Sequence, residues 1–276
     1  MNIMAELAAL ATGFSGTMGV WAQDLNSGEG LSFGAAHESF PSASTIKLAI
    51  LYELFRQAGE GRVDLDALWT MTAEDQVPGT GVLKDLSPGI RLPVRDLATL
   101  MMTISDNTAS NLCIDVIGLD AVNAAMDDLG LHGLRLYNKF YKPQPDRPKN
   151  QATPAQLGSL MTKIVHHQVL TPEACEAMLG IMKRVQGPFA RRFLPEVTQQ
   201  PAPEGEPELI IAAKLGILVG CRHEVGAVWK GDRGYVYAIM TRDCKDERKM
   251  EDNEGHLLIS RAVAVLHRHY LRGILP

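Results

Sequence analysis

The 276-residue sequence has no long apolar run, no excess of basic residues and only four cysteines. No apolar stretch approaches the roughly 18 residues that a helix needs to cross a bilayer, so no membrane span is predicted. The net charge of -5 argues against nucleic-acid binding, because no basic surplus is available to displace counterions. Hydrophobic residues make up 46% and charged residues 21%, which are ordinary values for a folded globular chain. A disordered, collagen-like or fibrous chain is therefore excluded.

The four cysteines, Cys113, Cys175, Cys221 and Cys244, are widely spaced and form no C-x-x-C pair. This spacing is not typical of a disulfide framework, and it predicts reduced thiols. A zinc site built from Cys221, His223 and Cys244 is the alternative, although the paired spacings of structural zinc are missing.

The first 14 residues do not resemble a secretory signal, because they contain no Lys or Arg and carry Glu6 in the stretch that should be apolar. Ile3, Leu7 and Leu10 recur at helical spacing and predict an amphipathic helix. For the sequence as it stands we expect a cytoplasmic location. If a leader has been trimmed, the expected location is periplasmic or secreted.

The rest of the chain divides into strands near both ends and helices between them. Strands are predicted at 16–25, 30–34, 209–218, 224–230 and 235–241, and helices at 45–58, 97–104, 109–117, 154–165, 172–185 and 251–270. Residues 199–208 contain three prolines and predict a linker. We therefore predict an α+β fold, with one antiparallel sheet built from both termini and flanked by helices. Residues 1–44 and 206–276 would form the sheet domain, and residues 45–205 a mostly helical inserted domain.

Ser44 lies at the start of a predicted helix, and Lys47 follows three residues later. A serine at a helix N-terminus is surrounded by backbone N–H groups that can stabilise an oxyanion. A serine hydroxyl is a poor nucleophile until a neighbouring group takes its proton. Lys47 lies on the same helix face, so its amine can fill this role. An N-cap serine beside a solvated lysine is the alternative interpretation.

Ser105, Asp106 and Asn107 lie together between two predicted helices. All three residue types cap helices, which is the simpler interpretation. If they face Ser44, however, the second serine and the amide could relay a proton and hold a substrate carbonyl.

Lys214, Leu215 and Gly216 lie within a predicted strand. A lysine on a strand edge beside a nucleophile could anchor an anionic substrate, and a half-exposed structural lysine is the alternative. For His223 and Glu224, which follow in the next strand, a structural role is favoured over a catalytic one.

In this order, the three motifs resemble the S-x-x-K, S-D-N and K-T-G motifs of class A β-lactamases and related penicillin-recognising serine enzymes. The resemblance extends to Phe40-Pro41, to residues 79–83 (GTGVL) and to Thr153-Pro154 before a helix, and it covers nearly the whole chain. It implies a serine hydrolase that opens β-lactam rings through an acyl-enzyme, without metal or cofactor. Its implied substrate is a small β-lactam or a related ester or amide. The alternatives are an esterase or peptidase, and a penicillin-binding protein that stays acylated.

The resemblance also implies a role for each motif residue. Ser44 would be the acylated nucleophile and Lys47 its proton partner. Ser105 would pass a proton to the leaving nitrogen of the β-lactam. Asn107 would bind the amide side chain of the substrate, and Lys214 would help to recognise its carboxylate.

The same family pattern places an oxyanion hole at the backbone N–H groups of Ser44 and of Ile217, the residue after Gly216. Family members usually have Thr or Ser at the middle of K-T-G, where the hydroxyl binds the substrate carboxylate. Leu215 cannot donate such a bond. Arg222 resembles a family arginine that binds the same carboxylate and is expected to compensate, a solvated turn arginine being the alternative.

The general base is the second departure from the family pattern. Family members carry a Glu after the S-D-N helices, commonly with Asn four residues later, and this Glu activates the water that clears the acyl-enzyme. No Glu occurs between residues 126 and 170. Asp146 and Asn150 reproduce the spacing, so Asp146 is one candidate base. In the other alignment Tyr137 stands at the Glu position and Asp146 is a solvated loop residue. Either alignment predicts slow deacylation.

Overall fold

The computed structural model describes residues 2–194 and 207–271, which form helices packed on a central sheet. The strands are β1 (Thr17–Asp24), β2 (Gly30–Gly34), β3 (Phe40–Pro41), β4 (Leu68–Thr70), β5 (Arg91–Pro93), β6 (Gln151–Ala152), β7 (Leu209–Leu218), β8 (Cys221–Lys230) and β9 (Arg233–Arg242). The helices are α1 (Ile3–Thr12), α2 (Lys47–Gly59), α3 (Val94–Thr103), α4 (Asn107–Ile117), α5 (Leu119–Asp128), α6 (Pro154–Val165), α7 (Pro172–Met182) and α8 (Glu254–Tyr270).

The central sheet has five antiparallel strands in the order β2-β1-β9-β8-β7. β1 pairs with β9 along its whole length, from Thr17 opposite Arg242 to Asp24 opposite Tyr235. Strands from both ends of the chain therefore build one sheet, and the predicted α+β fold is confirmed. Among the described residues, β7 pairs only with β8 and forms one edge of the sheet.

The sheet is covered on both faces. Helices α2 to α7 pack on the inner face, and α1 and α8 pack on the outer face. Because both faces are buried, residues 235–240 of β9 carry no charged side chain, and their side chains alternate between the two cores. Val236, Ala238 and Met240 face inward, and Tyr235, Tyr237 and Ile239 face outward.

Several element boundaries differ from those that the sequence predicts. β8 begins at Cys221, three residues before the predicted start. α8 begins at Glu254 rather than residue 251, because the Asn253 side chain accepts the first free N–H groups of the helix. α5 was not predicted at all. Residues 199–206 of the predicted linker lie outside the described residues, and the division into two domains stays a prediction.

The described residues contain neither a membrane-spanning helix nor a cluster of metal ligands. Within residues 2–194 and 207–271, no helix combines the length and apolarity that a membrane crossing requires. In the same residues no group of three or more His, Cys, Asp or Glu side chains could hold a metal ion. All four cysteines are buried and unpaired.

Candidate active site

Ser44 lies in a single 3₁₀ turn, Ala43–Ile46, that leads directly into α2. Ala43 has a φ of 47°, a left-handed conformation that strains an alanine, so the chain is distorted immediately before Ser44. A Cβ on Gly216 of β7 would lie 3.1 Å from both Ala43 Cβ and Thr45 Cγ2. The turn that carries the half-buried Ser44 therefore lies against the edge strand of the sheet.

Lys47 joins this turn to the S-D-N motif. Its side chain is fully buried. Its Nζ donates to the backbone oxygen of Ser105 at 2.8 Å, to Ser105 Oγ at 3.1 Å and to Asn107 Oδ1 at 3.0 Å. The sequence-predicted residues Lys47, Ser105 and Asn107 are thus brought together. No hydrogen bond joins Lys47 Nζ to Ser44 among the described residues.

The surroundings of Lys47 favour its uncharged form. Burial lowers the pKa of Lys47 well below its ordinary value, and the nearby Lys214 lowers it further. A neutral amine carries two protons and a lone pair. Two of its three partners are carbonyl oxygens, which can only accept, so only the Ser105 hydroxyl can donate to the lone pair. A proton can therefore pass between Lys47 and Ser105.

Asp106 fixes the loop that borders this cluster. Its Oδ2 accepts hydrogen bonds from the backbone N–H groups of Val82 at 2.7 Å and Leu83 at 2.9 Å. Gly81 has a φ of 108°, and a Cβ there would lie 2.2 Å from Asp106 Cγ, so only glycine fits. Residues 79–83 are therefore held directly beside Ser105 and Asn107.

Lys214 projects from the inner face of β7 and is fully buried. Its Nζ donates to the Leu215 backbone oxygen at 3.1 Å. Burial lowers the pKa of Lys214 to about 7, although the Glu224 carboxylate opposes this shift. Burial likewise raises the pKa of Glu224 to about 7, while hydrogen bonds from Tyr237 and from backbone N–H groups oppose it. Leu215 itself packs against the outer-face core.

Arg222 is not brought into the cleft. Its side chain is 1% exposed, and its Nε donates to His256 Nε2 at 2.8 Å. Nη1 donates to the backbone oxygen of Leu218 and Nη2 to that of Arg248, both at 2.6 Å. These bonds tie β8 to the segment before α8, so the predicted contact with a substrate carboxylate is not supported. Arg222 is not a solvated turn arginine either, because it is buried.

His223 anchors the chain that leads to Ser44. Its Nε2 donates to the Pro41 backbone oxygen at 2.8 Å, and its Nδ1 accepts from the Thr241 N–H at 3.2 Å. Burial lowers the pKa of His223 to about 4, so the ring is neutral near pH 7. With both nitrogens engaged, it does not form a zinc site with Cys221 and Cys244. The structural interpretation of His223 is the one that fits.

Asp146 is not among the hydrogen-bond partners of Lys47 in the described part of the chain. Its side chain is exposed at a turn, and the ionisable groups that act on Lys47 are Lys214, Asp106 and Cys113 rather than Asp146. Asn150 has a structural role, because its Oδ1 accepts from the backbone N–H of Tyr137 at 2.7 Å. The structure therefore does not place Asp146 as a base beside Lys47.

Phe140 is the loop residue that faces the cluster, and the sequence reasoning missed it. The centroid of its ring lies 4.4 Å from Lys47 Nζ. Its backbone is held by Asn111, whose Oδ1 accepts from Phe140 N at 2.8 Å and whose Nδ2 donates to Phe140 O at 2.9 Å. Tyr137, the alternative in the second alignment, does not occupy this place. The available signal was Asn111, a buried amide four residues after Asn107 that needed a backbone partner.

The model of the beta-lactamase enzyme family matches residues 2–270. The chain therefore belongs to the beta-lactamase enzyme family, and its resemblance to class A members is confirmed.

Solved structures agree with this assignment. The beta-lactamase from Sphaerobacter thermophilus DSM 20745 is 29% identical, with a TM-score of 0.86 over 99% of this chain and 98% of that chain. A point mutant of PBP-A, solved as an acyl-enzyme complex with penicillin G, is 29% identical, with a TM-score of 0.81 over 98% of this chain and 96% of that chain. The class A beta-lactamase from Mycobacterium abscessus, 24% identical, shows the same fold, with a TM-score of 0.82 over 98% of this chain and 99% of that chain.

Proposed function

We propose that this protein is a serine hydrolase that β-lactams acylate at Ser44 and that releases the opened product slowly. The observation that carries the proposal is the buried amine of Lys47, hydrogen-bonded to Ser105 and Asn107 at the start of the helix that follows Ser44. Because burial lowers its pKa, this amine loses its charge more readily than an exposed lysine does, and it is suited to accept a proton.

The residues support a balanced acylation step. Neutral Lys47 takes the Ser44 proton while Ser44 Oγ attacks the β-lactam carbonyl, and the backbone N–H groups of Ser44 and Ile217 hold the oxyanion. The carbon–nitrogen bond of the ring then breaks. Ser105 gives its proton to the leaving nitrogen and recovers one from the Lys47 ammonium. The product is an ester on Ser44 and a neutral amine, with Lys47 returned to its starting state.

Charged Lys214 and the Asn107 amide would orient the substrate during this step. Lys214 lies on the strand beside the Ser44 turn, and in its protonated form it attracts the carboxylate of a β-lactam. Leu215 has no hydroxyl that could donate a hydrogen bond to the same carboxylate, so recognition of the carboxylate depends more heavily on Lys214.

Slow release follows from the residue that faces Lys47. Hydrolysis of the ester needs a group that removes a proton from the attacking water, and the Phe140 ring offers none. This observation also favours the second candidate function, a penicillin-binding protein that stays acylated. The two candidates differ only in the rate at which the ester is hydrolysed.

Intact mass spectrometry after mixing with benzylpenicillin tests the proposal. We expect the whole population to gain one penicillin and then to return slowly to its starting mass. The Ser44→Ala variant should gain no mass, because the nucleophile is gone. Ser39→Ala, at an exposed serine just before the same turn, is the matched control and should be acylated normally.

Two results would contradict the proposed function. One is an adduct of unchanged yield on Ser44→Ala, and the other is the absence of any adduct on the unaltered protein. Rapid turnover of simple esters without reaction with benzylpenicillin would favour the esterase alternative. An adduct that never decays would favour the penicillin-binding protein.

A further inference from the structure

Tyr141, the residue after Phe140, has an unusual backbone. Its φ is 56°, a left-handed conformation that is a genuine outlier for a bulky residue. Its side chain is nevertheless 60% exposed, so burial in the core does not compensate for the strain. Strained residues of this kind persist where the surroundings hold them, and they cluster at functional sites.

The Tyr141 ring lies at the mouth of the candidate active site. A Cβ on Gly79 would lie 2.6 Å from Tyr141 Cε2, 2.7 Å from Tyr141 Oη and 2.6 Å from Asn107 Nδ2. The phenol and the Asn107 amide nitrogen therefore converge on the same point, which a side chain at position 79 would fill. The other end of that amide, Oδ1, is bound to Lys47 Nζ.

The strand side of the site is apolar as well. Gly216 of β7 packs against Ala43 in the Ser44 turn. Two residues further on, Leu218 is 44% exposed, and the next residue, Val219, is 66% exposed. A substrate group that reaches past Ser44 thus has an aromatic ring on the loop side and aliphatic side chains on the strand side.

We propose that Tyr141 is a specificity-determining residue, whose exposed ring packs against the acyl side chain of the substrate and favours flat, apolar side chains. The inference rests on the proposed function, in which Asn107 binds the amide of that side chain. An aromatic ring gains most from another ring stacked or placed edge-on at about 4.5–7 Å. The structure supplies the position for such a contact directly beyond the Asn107 amide.

Two penicillins that differ only in this group provide the test. Benzylpenicillin carries an aromatic acyl side chain, and 6-aminopenicillanic acid has the same bicyclic ring with none. Second-order acylation constants are measured by mass spectrometry. We expect Tyr141→Ala to lower the constant for benzylpenicillin by about five- to tenfold and to leave that for 6-aminopenicillanic acid within about twofold. Tyr141→Phe should retain the constant for both substrates.

A further variant separates this role from a structural one. Asparagine tolerates the left-handed conformation, so Tyr141→Asn should lose the same factor on benzylpenicillin while its thermal unfolding midpoint stays at or above that of the unaltered protein. Phe193→Ala is the matched control, because Phe193 is an aromatic residue that is 41% exposed on a different segment. It should change neither constant.

The outcomes distinguish this inference from the proposed function. If the unaltered protein is acylated by both penicillins and Tyr141→Ala loses equally on both, or loses on neither, Tyr141 does not determine specificity. A lower unfolding midpoint for Tyr141→Asn, with equal losses on both substrates, also assigns a structural role. If the unaltered protein reacts with neither penicillin, the proposed function itself fails, and this inference fails with it.

Discussion

The two sides of the site differ in what they offer to the two halves of the reaction. On the side of α2 and α4, the buried Lys47 is hydrogen-bonded to Ser105 and Asn107, one helical turn after Ser44. On the side of residues 137–150, the centroid of the Phe140 ring lies 4.4 Å from Lys47 Nζ. Under the proposed function, the proton-transfer groups for acylation are in place, whereas the loop side offers Lys47 an aromatic ring and no carboxylate.

The loop side is not loosely built. Asn111 holds both backbone polar groups of Phe140, and Asn150 accepts hydrogen bonds from two consecutive backbone N–H groups at Tyr137 and Asn138. Side-chain amides that pair with backbone groups in this way hold a loop in one conformation. Both sides of the site are therefore well ordered, and they differ in the functional groups that they present. Replacing a single side chain on the loop should be enough to supply the missing group.

Phe140→Glu gives the largest expected effect. A carboxylate in place of the ring would lie beside Lys47 and could take a proton from the hydrolytic water. General-base catalysis typically contributes 10²–10⁴-fold, so we expect the steady phase of hydrolysis to accelerate by about a hundredfold or more. Rapid-quench kinetics with a chromogenic cephalosporin measure this as a burst of about one equivalent followed by a faster steady phase.

Phe140→Gln is the control for this prediction, because the amide has the same shape as the carboxylate but is not a base near pH 7. Its steady phase should stay as slow as that of the unaltered protein. If the steady phase of Phe140→Glu is also slow while its burst is intact, a carboxylate at this position is not sufficient for hydrolysis. The two sides of the site would then differ by more than one functional group.

The acylating side was predictable from the sequence because each motif contains its own geometry. Ser44 and Lys47 are three residues apart at the start of one helix, and the resemblance to class A β-lactamases implied that Ser105 and Asn107 act at the same site. Phe140 was not predictable in the same way. The residue spacing within 137–150 does not indicate which side chain faces Lys47. That contact depends on hydrogen bonds from the Asn111 amide, which lies about 30 residues earlier in the sequence.

Two further differences have physical causes that the sequence does not display. In the β7–β8 register Arg222 lies opposite Ile217, and both side chains are on the outer face of the sheet. There the guanidinium of Arg222 donates to backbone carbonyls rather than to a substrate. α5 begins after Gly118, which offers no side chain for a cap, so the usual signal for a helix start is missing. The sheet, in contrast, followed from alternation and turn residues alone.

The pH dependence of the two phases should separate the sides of the site further. In the proposed mechanism, acylation needs Lys47 neutral and Lys214 protonated. The pKa of Lys214 is lowered to about 7, so its charge is present below that pH and lost as the pH rises. The acylation constant should therefore fall by up to about tenfold per unit as the pH rises above 7. The steady phase, which does not depend on Lys214, should show no such fall between pH 6 and 9.

Lys214→Arg is the matched variant for this prediction, since a guanidinium stays charged throughout the range. It should flatten the decline of the acylation constant above pH 7. Burst rates measured with benzylpenicillin from pH 6 to 9 give the comparison. A parallel decline in burst and steady phases would mean that one group controls both halves of the reaction.

Asp146→Asn gives the smallest expected effect, and it tests the loop side from the opposite direction. Asp146 is exposed at a turn and is not among the ionisable groups that act on Lys47, so loss of its charge should change neither the burst nor the steady phase by more than about twofold. The unfolding free energy should stay within about 0.5 kcal/mol, as for other exposed positions. Rapid-quench kinetics and thermal unfolding check both statements.

A slower steady phase with an intact burst would instead identify Asp146 as the base. Its carboxylate would then have to reach the acyl-enzyme by a movement of the loop, and the loop side would have to be regarded as equipped for hydrolysis.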